Sequence, residues 1–277
     1  MADWRAAMAA KGHDTGPAPA SNSVAKVKVK MGLDYFMQRM YSSEDIKGRV
    51  ISIYSEEGMG KTVLSAKLGK SNLFIADDNG ILSFQNHPEL DAISIAIPFE
   101  GYDRAVEVLE LCEAGKLINP KTDTPFDNVV FDTVSGMCST EIRRSIDDGD
   151  IPTEKGKLAD NIPTRPHYLL SEQNFGPLMK QIGNVKNFSV TLLLHLRTGV
   201  KDVPGASTRA DMHGAAYKLM AKYSSVVGYL HLKDGNRVVR VMPGELTAAK
   251  SRYNFGKSVL TDDEFVSKIE EWKRSNS

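Results

Sequence analysis

The chain has 277 residues, 41% of them hydrophobic, which is enough to bury a sizeable core in one domain. Its 35 Lys and Arg balance its 35 Asp and Glu, so no global field draws it to nucleic acid or an anionic membrane, and any DNA contact must come from a local basic patch. The two cysteines, Cys112 and Cys138, fall in segments with helical spacing, which fits reduced thiols in a cytosol better than a disulfide framework.

In chain order, residues 1–23 are rich in Ala, Gly, Pro and Ser and read as a flexible N-terminal segment, because they cannot bury enough apolar surface to offset ordering. The main domain is read over 24–260, with a closing helix over 261–277. "VAKVKVK" (24–30) alternates small apolar residues with Lys and predicts an edge strand, followed by a helix in "GLDYFMQRM". Short runs that are apolar on both faces then predict buried strands: "RVISIYS" (49–55), "NLFIA" (72–76), "ISIAI" (93–97), "NVVFD" (128–132) and "SVTLLLHL" (189–196). Between them "KTVLSAKLG", "YDRAVEVLELCEAG", "SGMCSTEIRRSIDD" and "SEQNFGPLMKQIGNVKN" have helical spacing. Such alternation predicts an α/β fold with a mainly parallel sheet flanked by helices. "SSVVGYLHLKDGNRVVRVM" (224–242) adds an antiparallel hairpin around an Asp-Gly turn, and Thr261 with Glu264 forms a capping-box signature for the last helix. No segment has the apolar run of a signal peptide or a membrane span, so a soluble, cytoplasmic protein without membrane contact is expected.

"SEEGMGKT" (55–62) fits the phosphate-loop pattern G-x-x-x-x-G-K-[ST] at every position except the first, where Ser55 replaces glycine. Ser55, Glu56, Glu57, Gly58, Met59, Gly60, Lys61, Thr62 and Val63 are the candidate nucleotide-binding residues. The glycines let backbone N–H groups turn toward a phosphate, Lys61 brings a point charge, and Thr62 offers a hydroxyl to Mg2+. A serine at position 55 is tolerable if its backbone angles are ordinary there, and strained if φ must be positive. Asp132 ends an apolar strand at the same sheet edge, where it can hold hydrated Mg2+ or cap the helix that follows. Asp77 and Asp78 end the strand after the first helix, where they either orient an attacking water or open a turn.

Taken in order, "RVISIYSEEGMGKT", "FIADDNGILSF", "NVVFDTVSGM", "VTLLLHLRTG", "VVGYLHLKDGNRVVRVMP" and "AKSRYNF" resemble the phage nucleotide-binding proteins of RecA-like fold, the group that includes small phage single-strand annealing ATPases. The resemblance covers about residues 45–256. It implies an ATP- and Mg2+-dependent P-loop ATPase, with Asp78 at the position of the water-activating carboxylate, normally Glu, and His195 at that of a polar γ-phosphate sensor. It also implies that Lys250 and Arg252 reach a neighbouring subunit's nucleotide in a homo-oligomer. Single-stranded DNA would be held by two long segments, 147–168 with Lys155, Lys157 and Arg165, and 197–214 with Arg197, Lys201 and Arg209. Acidic residues in both segments weaken that electrostatic case. The function expected is ATP hydrolysis coupled to single-stranded DNA in recombination, annealing or replication. The alternative is a nucleotide-gated scaffold with little or no hydrolysis, which the Asp at 78 and the neutral charge favour.

Overall fold

A computed structural model describes residues 49–77, 80–147, 165–197, 210–212, 214–243 and 249–275. The strand and helix read within 24–40 lie outside them, as do Asp78, Lys155, Lys157, Lys201 and Arg209. The first strand, β1 (Val50–Ser55), is buried along its whole length, and a loop leads from it into α1 (Lys61–Ala66). There follow β2 (Asn72–Ala76), a 3-10 turn at Gly80–Asn86, α2 (Pro88–Asp91), β3 (Ser94–Pro98) and α3 (Tyr102–Glu113). A two-stranded ribbon of β4 (Ile118–Asn119) and β5 (Thr124–Pro125) precedes β6 (Asn128–Asp132) and α4 (Val134–Asp147). The second half holds α5 (Arg165–Asn184), β7 (Ser189–His195), α6 (Gly214–Tyr223), β8 (Val226–Lys233), β9 (Asn236–Arg240), β10 (Lys250–Ser251), β11 (Val259–Thr261) and α7 (Asp262–Ser275).

Among the described residues, nine strands form one sheet in the order β11-β9-β8-β1-β7-β6-β2-β3, with β10 also paired to β8. The strands from β8 to β3 run parallel, and β9, β10 and β11 add antiparallel pairs at one side. The mainly parallel α/β fold read from the apolar runs is therefore present. Those runs are apolar on both faces because both faces are covered. Tyr54, Val129, Phe131, Val190, Leu192 and Val227 pack under α3, α4, α5 and α6, whereas Ile51, Ile53, Val130, Leu193, Leu230 and Val239 pack under α1 and α7.

The hairpin turn has the geometry its sequence demands: Asp234 and Gly235 take φ of 52° and 78°, the left-handed pair of a type I′ turn. Thr261 and Glu264 form the reciprocal capping box, Thr261 N donating to Glu264 Oε2 at 3.0 Å and Glu264 N to Thr261 Oγ1 at 3.3 Å. Cys112 and Cys138 are free and buried, and burial pushes their thiols up to about 12 and about 11. One boundary and one element differ from the sequence reading. Helix α5 starts at Arg165, inside the segment read as a loop, because Pro166 sits in the first turn, where a missing N–H is harmless. Helix α6 closes the second segment, beginning at Gly214. No described helix is long and apolar enough to cross a membrane.

Candidate active site

Parallel strands deliver their C-terminal residues to one edge of the sheet. Ser55 of β1 is in register with His195 of β7, and Ala76 of β2 with Asp132 of β6, so the phosphate loop and both chemically active strand ends converge there. The order β1-β7-β6 sets His195 between the loop and Asp132.

The left-handed turns of the loop fall at Gly58, with φ 72°, and Gly60, with φ 82°. Ser55 is absent from the left-handed residues and belongs to the strand, so serine there carries no backbone penalty. Its hydroxyl donates to Glu56 O at 2.8 Å and accepts from Lys61 Nζ at 3.2 Å. Lys61, 7% exposed, also donates to Ser55 O at 3.3 Å and Glu56 O at 3.0 Å, spanning the mouth of the loop. Glu56 and Glu57 are exposed, Met59 is partly buried, and Val63 is buried in the core beneath α1.

Helix α1 is short, and side chains from two strand starts fix its far end. Asn72 Nδ2 donates to Ala66 O at 3.0 Å, and Asn128 Nδ2 to Ser65 O at 3.1 Å and to Asn72 Oδ1 at 2.8 Å. Thr191 Oγ1 completes this buried network by donating to Asn128 Oδ1 at 2.9 Å. The carbonyls that a helix leaves unpaired at its C-terminus are thus satisfied, and the loop at its other end is held against the sheet.

Thr62 Oγ1 donates to Asp132 Oδ2 at 2.7 Å, joining the hydroxyl that follows the lysine to a carboxylate only 4% exposed. A hydroxyl and a carboxylate so placed are the hard oxygen donors that Mg2+ takes beside phosphates. Asp77 lies next to this pair. Its N–H donates to Asp132 O at 3.0 Å, its Oδ1 accepts from Thr133 N at 2.7 Å, and its carboxylate packs on Gly136, where a Cβ would come within 1.4 Å of Oδ2. His195 Nε2 is 3.2 Å from Thr133 Oγ1, and its Nδ1 is 3.9 Å from Glu57 Oε1.

The family model of the AAA domain matches residues 47–253, a span that includes the loop, Asp132 and His195. The chain belongs to the AAA domain family. This AAA domain is of the P-loop ATPase type, and its family membership carries nucleotide binding with it. Curated proteins give no match to the chain.

The remaining predicted residues of the AAA domain are spread around this centre. Arg197 is exposed just after the site edge, and Arg165 is exposed at the start of α5. The segment after Arg197 returns through a bridge between Leu196 and Ala210, and Asp211 N donates to His195 O at 2.8 Å. Ser135 Oγ donates to Asp211 O at 2.7 Å and accepts from His195 N at 3.1 Å, tying the root of that segment to the nucleotide edge. A cavity of about 640 Å³ opens beside this root, lined by Ser135, Cys138, Arg143, Tyr168 and Asp211 among others.

Lys250 and Arg252 sit elsewhere, on their own chain's α6. Lys250 Nζ donates to Ala221 O and Ser224 O, and Arg252 Nη2 to Lys222 O, so both cap the C-terminal carbonyls of that helix. Burial and the adjacent Arg252 hold the Lys250 ammonium below the ordinary lysine value.

One residue at the loop has no counterpart among the predicted ones. The Arg237 guanidinium of β9 lies against Gly60, where a Cβ would come within 2.3 Å of Nη1, and Nη2 is 2.7 Å from Asp262 Oδ2. The only sequence signal is its place just beyond the Asp-Gly turn, and nothing in the local pattern tells which way the hairpin leans.

Proposed function

We propose that this AAA domain binds ATP with Mg2+ and hydrolyses it, acting as a homo-oligomer on single-stranded DNA in phage recombination, annealing or replication. The observation that carries the nucleotide part is the 2.7 Å contact of Thr62 with Asp132 at the foot of a loop whose two left-handed glycines precede Lys61. Backbone N–H groups of the loop donate to the phosphates, and Lys61 exchanges its bonds to Ser55 and Glu56 for phosphate oxygens. Thr62 and Asp132 would hold Mg2+, which would supply positive charge to the phosphate oxygens. Asp77 or Asp78 orients the attacking water. His195, bonded to the root of the 197–214 segment through Ser135 and Asp211, relays nucleotide state to that segment.

The DNA part is supported by the resemblance to phage annealing ATPases and by the bonds of Asp211, near the end of the 197–214 segment, to His195 O and Ser135 Oγ at the sheet edge. The test is ATP turnover by the purified full chain with and without single-stranded DNA. Stimulated turnover is the expected result. Absence of ATP binding would overturn the nucleotide reading, and binding without turnover would replace the ATPase by a nucleotide-gated scaffold.

A further inference from the structure

We propose that Arg237 is a nucleotide-binding residue that takes the phosphate tail at the loop's outer mouth, with Asp262 as the counter-charge that positions it. This rests on the reading of the loop as a nucleotide site. It begins with an overhang in the sheet: β8 pairs with β1 only from Val226 to Tyr229, opposite Ile51–Tyr54, while β8 itself continues to Lys233. The hairpin therefore runs on past the end of β1, alongside the phosphate loop. Its return strand carries Arg237 opposite Leu232, within the projecting part.

From there the guanidinium folds onto the bare Cα of Gly60, the residue immediately before Lys61. Any side chain at position 60 would collide with it, so the contact exists only because that residue is glycine. The Arg237 side chain remains 37% exposed, whereas Asp262, at the start of α7, has a side chain 11% exposed. Burial raises the Asp262 carboxyl and Arg237 opposes that rise, so the pair is held by mutual need. Asp262 Oδ1 is buried without a hydrogen-bond partner among the described residues, and Arg237 bonds Oδ2 alone.

A guanidinium has five N–H donors in a planar fork suited to phosphate. Asp262 occupies one side of that fork, and the other faces the loop. A strut between β9 and α7 needs the first contact and not the second. Other charges near this mouth are Lys61, Glu56 and Glu57 in the loop and the Lys67–Asp263 pair at 3.6 Å.

The experiment measures the dissociation constant of MgATP, and its salt dependence, for the full-length wild type, Arg237→Lys, Arg237→Gln and Arg237→Gln/Asp262→Asn. Loss of a charge-assisted phosphate contact should weaken binding about 10- to 100-fold in both Gln variants and flatten the salt dependence. Arg237→Lys should recover part of the loss. The double variant guards against misfolding, since it removes the carboxylate that Arg237→Gln leaves unpaired. MgATP affinity within about twofold of wild type in a folded Gln variant, with the salt dependence unchanged, would overturn the proposal. So would failure of both Gln variants to fold, which would make the pair a strut. A wild type that does not bind MgATP would instead refute the nucleotide site itself.

Discussion

Replacing Gly60 by alanine tests the contact at the mouth of the loop without any nucleotide present, because Gly58 supplies an internal reference. Both glycines are left-handed, with φ of 72° at Gly58 and 82° at Gly60. Alanine at either position carries the left-handed penalty, about 1 kcal/mol. The surroundings differ: no atom lies within 4 Å of a Cβ at Gly58, whereas at Gly60 the new methyl would be 2.3 Å from Arg237 Nη1. Arg237 must then swing away and loosen its 2.7 Å bond to Asp262, a carboxylate that burial already disfavours. Weakening that charge-assisted bond adds about 1–2 kcal/mol. Gly58→Ala should therefore lower the unfolding free energy by about 1 kcal/mol and Gly60→Ala by about 2–3 kcal/mol, read from urea unfolding of the nucleotide-free protein. In an Arg237→Ala background the excess at Gly60 should vanish, since nothing remains to displace. If the Gly60→Ala and Arg237→Ala effects simply add, the two residues do not touch, and the geometry of the mouth is wrong.

Lys61→Ala should weaken MgATP binding by about two orders of magnitude or more with the fold retained, because the ammonium's present partners are only the Ser55 and Glu56 carbonyls and the Ser55 hydroxyl at the loop's own start; calorimetric titration and circular dichroism check both halves. Asp132→Asn should weaken ATP binding about tenfold in the presence of Mg2+ and leave Mg2+-free binding unchanged, since the lost charge acts through the metal. Of Asp77→Asn and Asp78→Asn, the one at the water-orienting carboxylate should lower kcat about 100-fold or more at unchanged ATP affinity, in a steady-state phosphate-release assay. Lys273, whose ammonium burial lowers to about 8, donates to Leu68 O. Its folded value lies below the ordinary 10.5, so between these limits the unfolded chain binds the extra proton, and the contribution of Lys273 to stability should rise with pH by up to about 3 kcal/mol, opposed above about pH 9 by the raised thiols of Cys112 and Cys138. Lys273→Met should abolish this slope in urea midpoints measured between neutral and alkaline pH.

The apolar runs gave away the sheet because a strand covered on both faces carries apolar residues at successive positions rather than at alternate ones. β2 and β6 fall on "NLFIA" and "NVVFD" residue for residue. Even so, the pattern marks the leading Asn72 and Asn128 only as strand residues, although their amides serve the end of α1. A side chain's bond to another element's carbonyl leaves no trace in local periodicity. The start of α5 was hidden for a different reason: Pro166 reads as a loop residue unless it is known to fall in a first turn. Arg237 was hidden most completely, since its meeting with Gly60 depends on how far β8 overshoots β1.

Ser55 shows how a departure from a motif can be settled by backbone geometry. The pattern's first glycine position coincides here with the last residue of β1, in register with His195. A residue inside a ladder has extended angles that any side chain accepts, so the freedom glycine brings is unused there. The turning of the chain is carried instead by Gly58 and Gly60. What the serine adds is a hydroxyl within 3.2 Å of Lys61 Nζ and 2.8 Å of Glu56 O, a tether between the two ends of the loop. When a phosphate arrives, Lys61 gives up this bond, while the hydroxyl keeps Glu56 O as its acceptor. The serine therefore fits the strand without strain and gives the lysine a partner at the mouth of the loop until a phosphate takes its place.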